Sequence, residues 1–107
     1  MRVSVDPVLR ALADPTRRDL FERLCRDGEH TVVRLTRLAG VSQPAVSKHL
    51  RVLKEAHLVS GRAVGRETHY RAEARGLRPL IDWFDHYARF WPARLDALAR
   101  VLDGMEP

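Results

Sequence analysis

With 107 residues and 12.3 kDa, the chain has room for one domain with a single core, and 45% apolar content excludes a disordered tail. No apolar run approaches the roughly 20 residues that span a bilayer, and Met1-Arg2-Val3-Ser4-Val5-Asp6-Pro7 lacks the apolar stretch of a secretory signal, so the expectation is a cytoplasmic protein with no membrane partner. A formal charge of +5 and a pI near 10.3 favour an anionic partner such as nucleic acid.

Asp6-Pro7 is the first helix start, an acceptor at the N-cap followed by Pro at the first helical position, and Val8, Leu9 and Leu12 carry a short helix to about Ala13. Asp14-Pro15 repeats the signal and opens a second helix with Leu20, Phe21, Leu24 and Cys25 on its inner arc, ended by Gly28 in the left-handed conformation. Cys25, the one cysteine, excludes an intrachain disulfide and fits a reducing compartment; sharing an arc with Phe21, it reads as a buried, inert thiol. Arg17 and Arg18 open this helix and read equally well as phosphate contacts or as a surface pair bonded to carboxylates. Thr31 caps a third helix carrying Val32, Leu35, Leu38 and Ala39, and Gly40-Val41 makes a tight turn out of it.

The stretch Ser42-Gln43-Pro44-Ala45-Val46-Ser47-Lys48-His49-Leu50-Arg51-Val52-Leu53-Lys54-Glu55-Ala56 follows. Ser42 is an N-cap and Pro44 falls in the first turn, where a missing N–H costs nothing. Val46, Leu50 and Leu53 form one apolar stripe; the opposite arc carries Gln43, Ser47, Lys48, Arg51 and Lys54 with no carboxylate until Glu55. Amide, hydroxyl and cationic groups on one face suit base edges and phosphates in a DNA major groove. His49 either reaches DNA, the reading preferred here, or packs against the preceding helix. Two helices joined by a short glycine turn, the second with a polar outer face, make a helix-turn-helix.

Beyond Ala56 the period changes to two. Leu58–Val64 and Glu67–Ala72 flank Gly65-Arg66, and glycine first in a two-residue loop predicts a type II′ hairpin with Arg62 and Arg66 at its tip. Placed after a helix-turn-helix, this hairpin reads as a wing whose arginines reach phosphate. The last segment, 77–103, is predicted as one long helix with two apolar stripes: Leu77, Leu80, Ile81, Phe84, Tyr87, Trp91, Leu95, Leu98 and Leu102, and beside it Trp83, Phe90, Ala97 and Val101. A small domain covers one such stripe, so the second implies a homodimer, with Leu9 and Leu12 of the first helix and Trp83, Tyr87, Phe90, Trp91, Arg94, Ala97, Leu98 and Val101 at the contact. Pro92 predicts a kink or break near Ala88–Trp91. His30, His49, His57, His69 and His86 are scattered and no phosphate loop or nucleophile motif occurs, which argues against an enzyme.

Leu12-Ala13-Asp14-Pro15-Thr16-Arg17-Arg18, the stretch Val41–Ala56, Leu58-Val59 and the Gly65-Arg66…Tyr70 hairpin resemble the ArsR-type winged-helix transcriptional regulators over about residues 8–103. The resemblance implies a dimeric repressor that binds a palindromic double-stranded operator, with Gln43, Ser47, Lys48 and His49 facing DNA, and releases it on an inducer that the residues leave unspecified. Where metal-sensing members carry thiolates, this chain has Thr31 and Val33, and the terminal helix offers Asp82, Asp85 and His86, of which Asp82 and His86 one turn apart are too few ligands for a closed zinc site. The Trp83-to-Leu95 pattern looks like the non-metal members, so no metal and no cofactor is expected. The expected architecture is mostly α with a β-hairpin wing, ααααββα, as a single domain 1–107: a core over 8–76 with its wing at 58–72, and a dimerisation helix at 77–103. Two alternatives are a metal- or redox-responsive repressor with an atypical site and a winged helix that binds protein without touching DNA; the unbroken basic face of the Ser42 helix argues against the second.

Overall fold

The computed structural model describes residues 4–90 and 92–105, with the backbone alone at Pro92 and Leu95. The elements are α1 (Asp6–Ala13), α2 (Pro15–Asp27), β1 (His30–Thr31), α3 (Val32–Ala39), α4 (Gln43–Glu55), β2 (Val59–Val64), β3 (Glu67–Ala72), a 3₁₀ turn (Ala74–Leu77), α5 (Arg78–Ala88) and α6 (Pro92–Gly104). A mostly helical chain with a small antiparallel sheet is the expected winged helix-turn-helix.

Three helix starts are set by side-chain acceptors for the N–H groups that a first turn leaves unpaired. Asp14 accepts from the Arg17 N–H at 2.9 Å, Thr31 from Arg34 at 3.1 Å and Ser42 from Ala45 at 3.3 Å. The first helix differs from expectation: Asp6 is already helical, its N–H bonds Ser4 Oγ at 3.2 Å, and the N-cap is Val5. Arg17 and Arg18 take neither role foreseen for them. Arg17 Nε and Nη2 donate to the Ala11 and Arg10 carbonyls at 2.8 and 3.0 Å, and Arg18 Nη1 donates to Leu12 at 3.1 Å, closing the carbonyl end of α1. Gly28 has positive φ as expected, though at ψ −148° it lies outside the left-handed helical region.

The core is built where α1, α2, α3 and α4 meet the base of the sheet. Val8, Ala11, Leu20, Phe21, Leu24, Leu35, Val46, Leu50, Leu53, Leu58 and Val59 are all buried, each large one contributing about 1.5–3 kcal/mol. Cys25 is not among them. The thiol is exposed, because the inner arc of α2 passes through Leu20, Phe21 and Leu24 and leaves Cys25 at its edge. Partial burial and then Glu22 push its ionisation up, so it stays a protonated, weak nucleophile for electrostatic reasons and not through burial in the core.

The sheet has the order β1-β3-β2, all antiparallel. β1, with His30 opposite Tyr70 and Thr31 opposite His69, anchors the hairpin to the body and was not foreseen, since two residues carry no period. Gly65 has φ +62° while Arg66 does not have positive φ, the pattern of a type II′ and not a type I′ turn. The exit from α4 also left no sequence signal. His57 occupies the left-handed region at φ 62° where glycine is usual; its N–H bonds Lys54 O at 3.0 Å and the Leu58 N–H bonds Leu53 O at 2.9 Å, a Schellman ending that aims the chain into β2. Gly76 packs directly on this turn, and a Cβ there would overlap the His57 carbonyl.

The predicted terminal helix is two helices. α5 stops at Ala88 and α6 starts at Pro92, which has no N–H to donate to the carbonyl of Ala88. The expectation that one stripe would be covered within the chain is also corrected. Leu77 and Leu80 pack on the core, but Ile81, Phe84, Leu98 and Leu102 of the same stripe are exposed, as are Trp83, Phe90 and Val101 of the other. Trp91 and the side chain of Leu95 lie outside the described residues. No helix among the described residues is long and apolar enough to cross a membrane.

Candidate nucleic-acid interface

Helix α4 turns Val46, Leu50 and Leu53 into the core and Gln43, Ser47, Lys48, Arg51 and Lys54 outward, all five exposed. None of Lys48, Arg51 and Lys54 forms an ion pair among the described residues, in contrast to Arg23, Arg62, Arg71 and Arg78 elsewhere. Ser42, exposed, holds the start of the helix, where backbone N–H groups and the helix dipole favour an anion. Gln43 and Ser47 line a cleft of about 290 Å³ whose other walls are Thr31 and Val33 from the start of α3 and Arg66 and Thr68 from the wing. The cleft therefore joins the two parts of the molecule assigned to DNA. Its width is set by β1, which fixes both α3 and β3.

His49 is half-buried, and its Nδ1 is buried without a hydrogen-bond partner among the described residues. It lies close enough to Asp14 to help hold that carboxylate below its ordinary range, after the larger effect of the Arg17 N–H. At most one ring nitrogen of His49 reaches outward.

The wing arginines separate. Arg66 is in the turn, with no ion pair among the described residues. Arg62 is not at the tip: it lies opposite His69, two residue pairs in from the turn, and its Nη2 is 2.8 Å from Glu29 Oε1. Arg71 donates to Glu73 at 3.1 Å and to Ser60 at 3.3 Å. Two cations escaped the sequence reading. Arg34 and Arg37, on exposed positions of α3, have no ion pair among the described residues, and Arg37 is one turn on from the cleft residue Val33. The signal for them was the helix-turn-helix itself, whose first helix crosses the DNA backbone.

In α5, Asp82 accepts from Arg78 at 3.0 Å, and the His86 ring stands edge-on to Tyr87 and Phe90 at 5.0 and 5.3 Å. Among the described residues no three His, Cys, Asp or Glu side chains are grouped to share a metal ion. Leu9, Trp83, Tyr87, Phe90, Leu98 and Val101 are exposed, as are Arg94 and Ala97, while Leu12 is half-buried against the core.

The chain matches the helix-turn-helix domain family over residues 12–62. It is 43% identical over 100 residues to the HTH-type transcriptional regulator Rv2034 of Mycobacterium tuberculosis, an alignment covering 94% of this chain and 90% of that protein. Among solved structures it superposes on the ArsR-like transcriptional regulator from Rhodococcus sp. RHA1 with TM-score 0.75 at 31% identity, covering 95% of this chain and 93% of that one. It also superposes on the homodimeric winged helix-turn-helix DNA-binding domain Mb0332 of Mycobacterium bovis with TM-score 0.64 at 27% identity, covering 79% and 78%. The chain belongs to the ArsR family of winged helix-turn-helix DNA-binding transcriptional regulators, and is not an enzyme.

Proposed function

We propose that the chain is a homodimeric repressor that binds a palindromic operator through paired α4 helices and releases it on a signal. The observation that carries this reading is the outward face of α4, where Gln43, Ser47, Lys48, Arg51 and Lys54 stand exposed with no carboxylate engaging the three cations among the described residues. In it, Gln43 bonds bidentately to adenine and Ser47 to a neighbouring base edge. Lys48, Arg51 and Lys54 hold phosphates, joined by Arg66 from the wing and by Arg34 and Arg37 from α3. The exposed face of Trp83, Phe90, Leu98 and Val101 supplies the contact between copies, and the related Mycobacterium bovis domain is a homodimer.

Selection from a random duplex pool followed by sequencing tests the whole reading. The expected product is an inverted repeat whose half-sites lie about 34–36 Å apart, one helical turn; a pool without enrichment overturns it. Gln43→Ala should then cost roughly 1–3 kcal/mol at one base position and little elsewhere. Equal weakening on every sequence would move Gln43 out of base reading.

A further inference from the structure

We propose that Glu29 stands in for a DNA phosphate. It holds the Arg62 guanidinium against the body, so that Arg62 positions the wing while Arg66 alone among the hairpin arginines meets the duplex. The inference rests on the DNA-binding reading above and refines which wing residue carries charge to DNA.

Glu29 lies in the link between α2 and β1, outside the hairpin, yet its Oε1 accepts from Arg62 Nη2 at 2.8 Å and from Nε at 3.1 Å. His69 Nδ1 is 3.2 Å from the same oxygen. Arg62 and His69 are direct partners across β2 and β3, so one carboxylate ties the body to both strands of the wing. The Nε–Nη edge of a guanidinium is the edge that grips phosphate, and a carboxylate oxygen offers it the same charge and the same lone pairs. Transfer of Arg62 to the duplex would strip Glu29, whose side chain is only 28% exposed, of its cation just as a polyanion arrives. That repulsion sets the exchange against itself. Arg71 is likewise occupied, by Glu73 and Ser60, which leaves Arg66 as the hairpin arginine with no ion pair among the described residues.

Only a cation that displaces counterions from DNA adds to the salt dependence of binding. The test measures log affinity against log salt for the full chain on a mixed-sequence duplex spanning two major grooves, with the melting temperature of each variant to establish folding. Arg62→Ala is expected to keep the wild-type slope. Glu29→Gln is expected to steepen it by about 0.9, the increment for one added phosphate contact, and adding Arg62→Ala to Glu29→Gln should restore it. Glu29→Ala repeats the measurement where Gln disturbs folding. Lys48→Ala, the reference, should flatten the slope by about 0.9. Flattening by Arg62→Ala to the extent seen with Lys48→Ala overturns the proposal. So does a Glu29 variant that loses affinity at unchanged slope, which would make Glu29 a prop for the wing and nothing more. If the wild-type chain binds no duplex even at low salt, the DNA-binding reading itself fails and this one falls with it.

Discussion

Val46, Leu50 and Leu53 in α4 and Ile81, Phe84 and Leu98 in the terminal helices follow the same helical spacing, yet the first three are fully buried and the last three are half exposed or more. Side-chain chemistry does not separate them; the presence of a facing element does. α4 sits between α1, α2, α3 and β2, whereas α5 contains no buried residue at all. The radius of gyration makes the same point, 17.1 Å against about 13 Å for a compact domain of this length, because α5 and α6 extend from the body. An apolar period states that a face needs cover. It does not state whether the cover lies in the same chain.

Four measurements break or sharpen this contrast. Leu50→Ala removes a fully buried side chain and should cost about 2–5 kcal/mol of unfolding free energy in denaturant titration; a loss below that range would mean the body closes the cavity by repacking. Leu98→Glu, in the arm, should instead make the chain monomeric in sedimentation and lower operator affinity about 10²-fold, as a second half-site is no longer tethered to the first. An assembly that survives the charge would remove α6 from the contact. At the joint between the regions, Gly76→Ala forces a methyl onto the His57 carbonyl and should destabilise by about 1–3 kcal/mol, readable in the same titration. Wild-type stability in that variant would show that the joint can open without cost.

The smallest effect concerns pH. Glu73 also stands at the joint, its carboxyl held below the ordinary range first by the Ser60 hydroxyl and then by Arg71. A carboxyl depressed in the folded state adds stability above its unfolded pKa and loses it as pH falls through the folded value. The melting temperature should therefore drop less between about pH 6 and pH 3 in Glu73→Gln than in the wild type. Matching acid profiles would exclude Glu73 from the acid sensitivity of the fold.

Much of the body could be read in advance because its signals are local. Asp14, Thr31 and Ser42 cap helices with their own side chains, and Gly65-Arg66 makes its turn through its own dihedral angles. The outward residues of α4 were legible for the same reason, since a buried stripe at Val46, Leu50 and Leu53 leaves only one arc for solvent. The errors fell where the partner is distant in sequence. Arg62 finds Glu29 across more than thirty residues, Arg17 and Arg18 turn back onto the carbonyls of α1, and Cys25 is left exposed by the way α2 packs.

Order along the chain thus determined the helices, their caps, the hairpin register and the cationic face of α4, all consequences of bonds and periodicities within a few residues. Tertiary structure alone decided that β1 would fasten the wing to α3, that His57 would take a left-handed turn beneath Gly76, and that the aromatic arm would find no cover in its own body. Those outcomes depend on which surfaces meet after collapse, and a surface's partner is written nowhere in its own spacing.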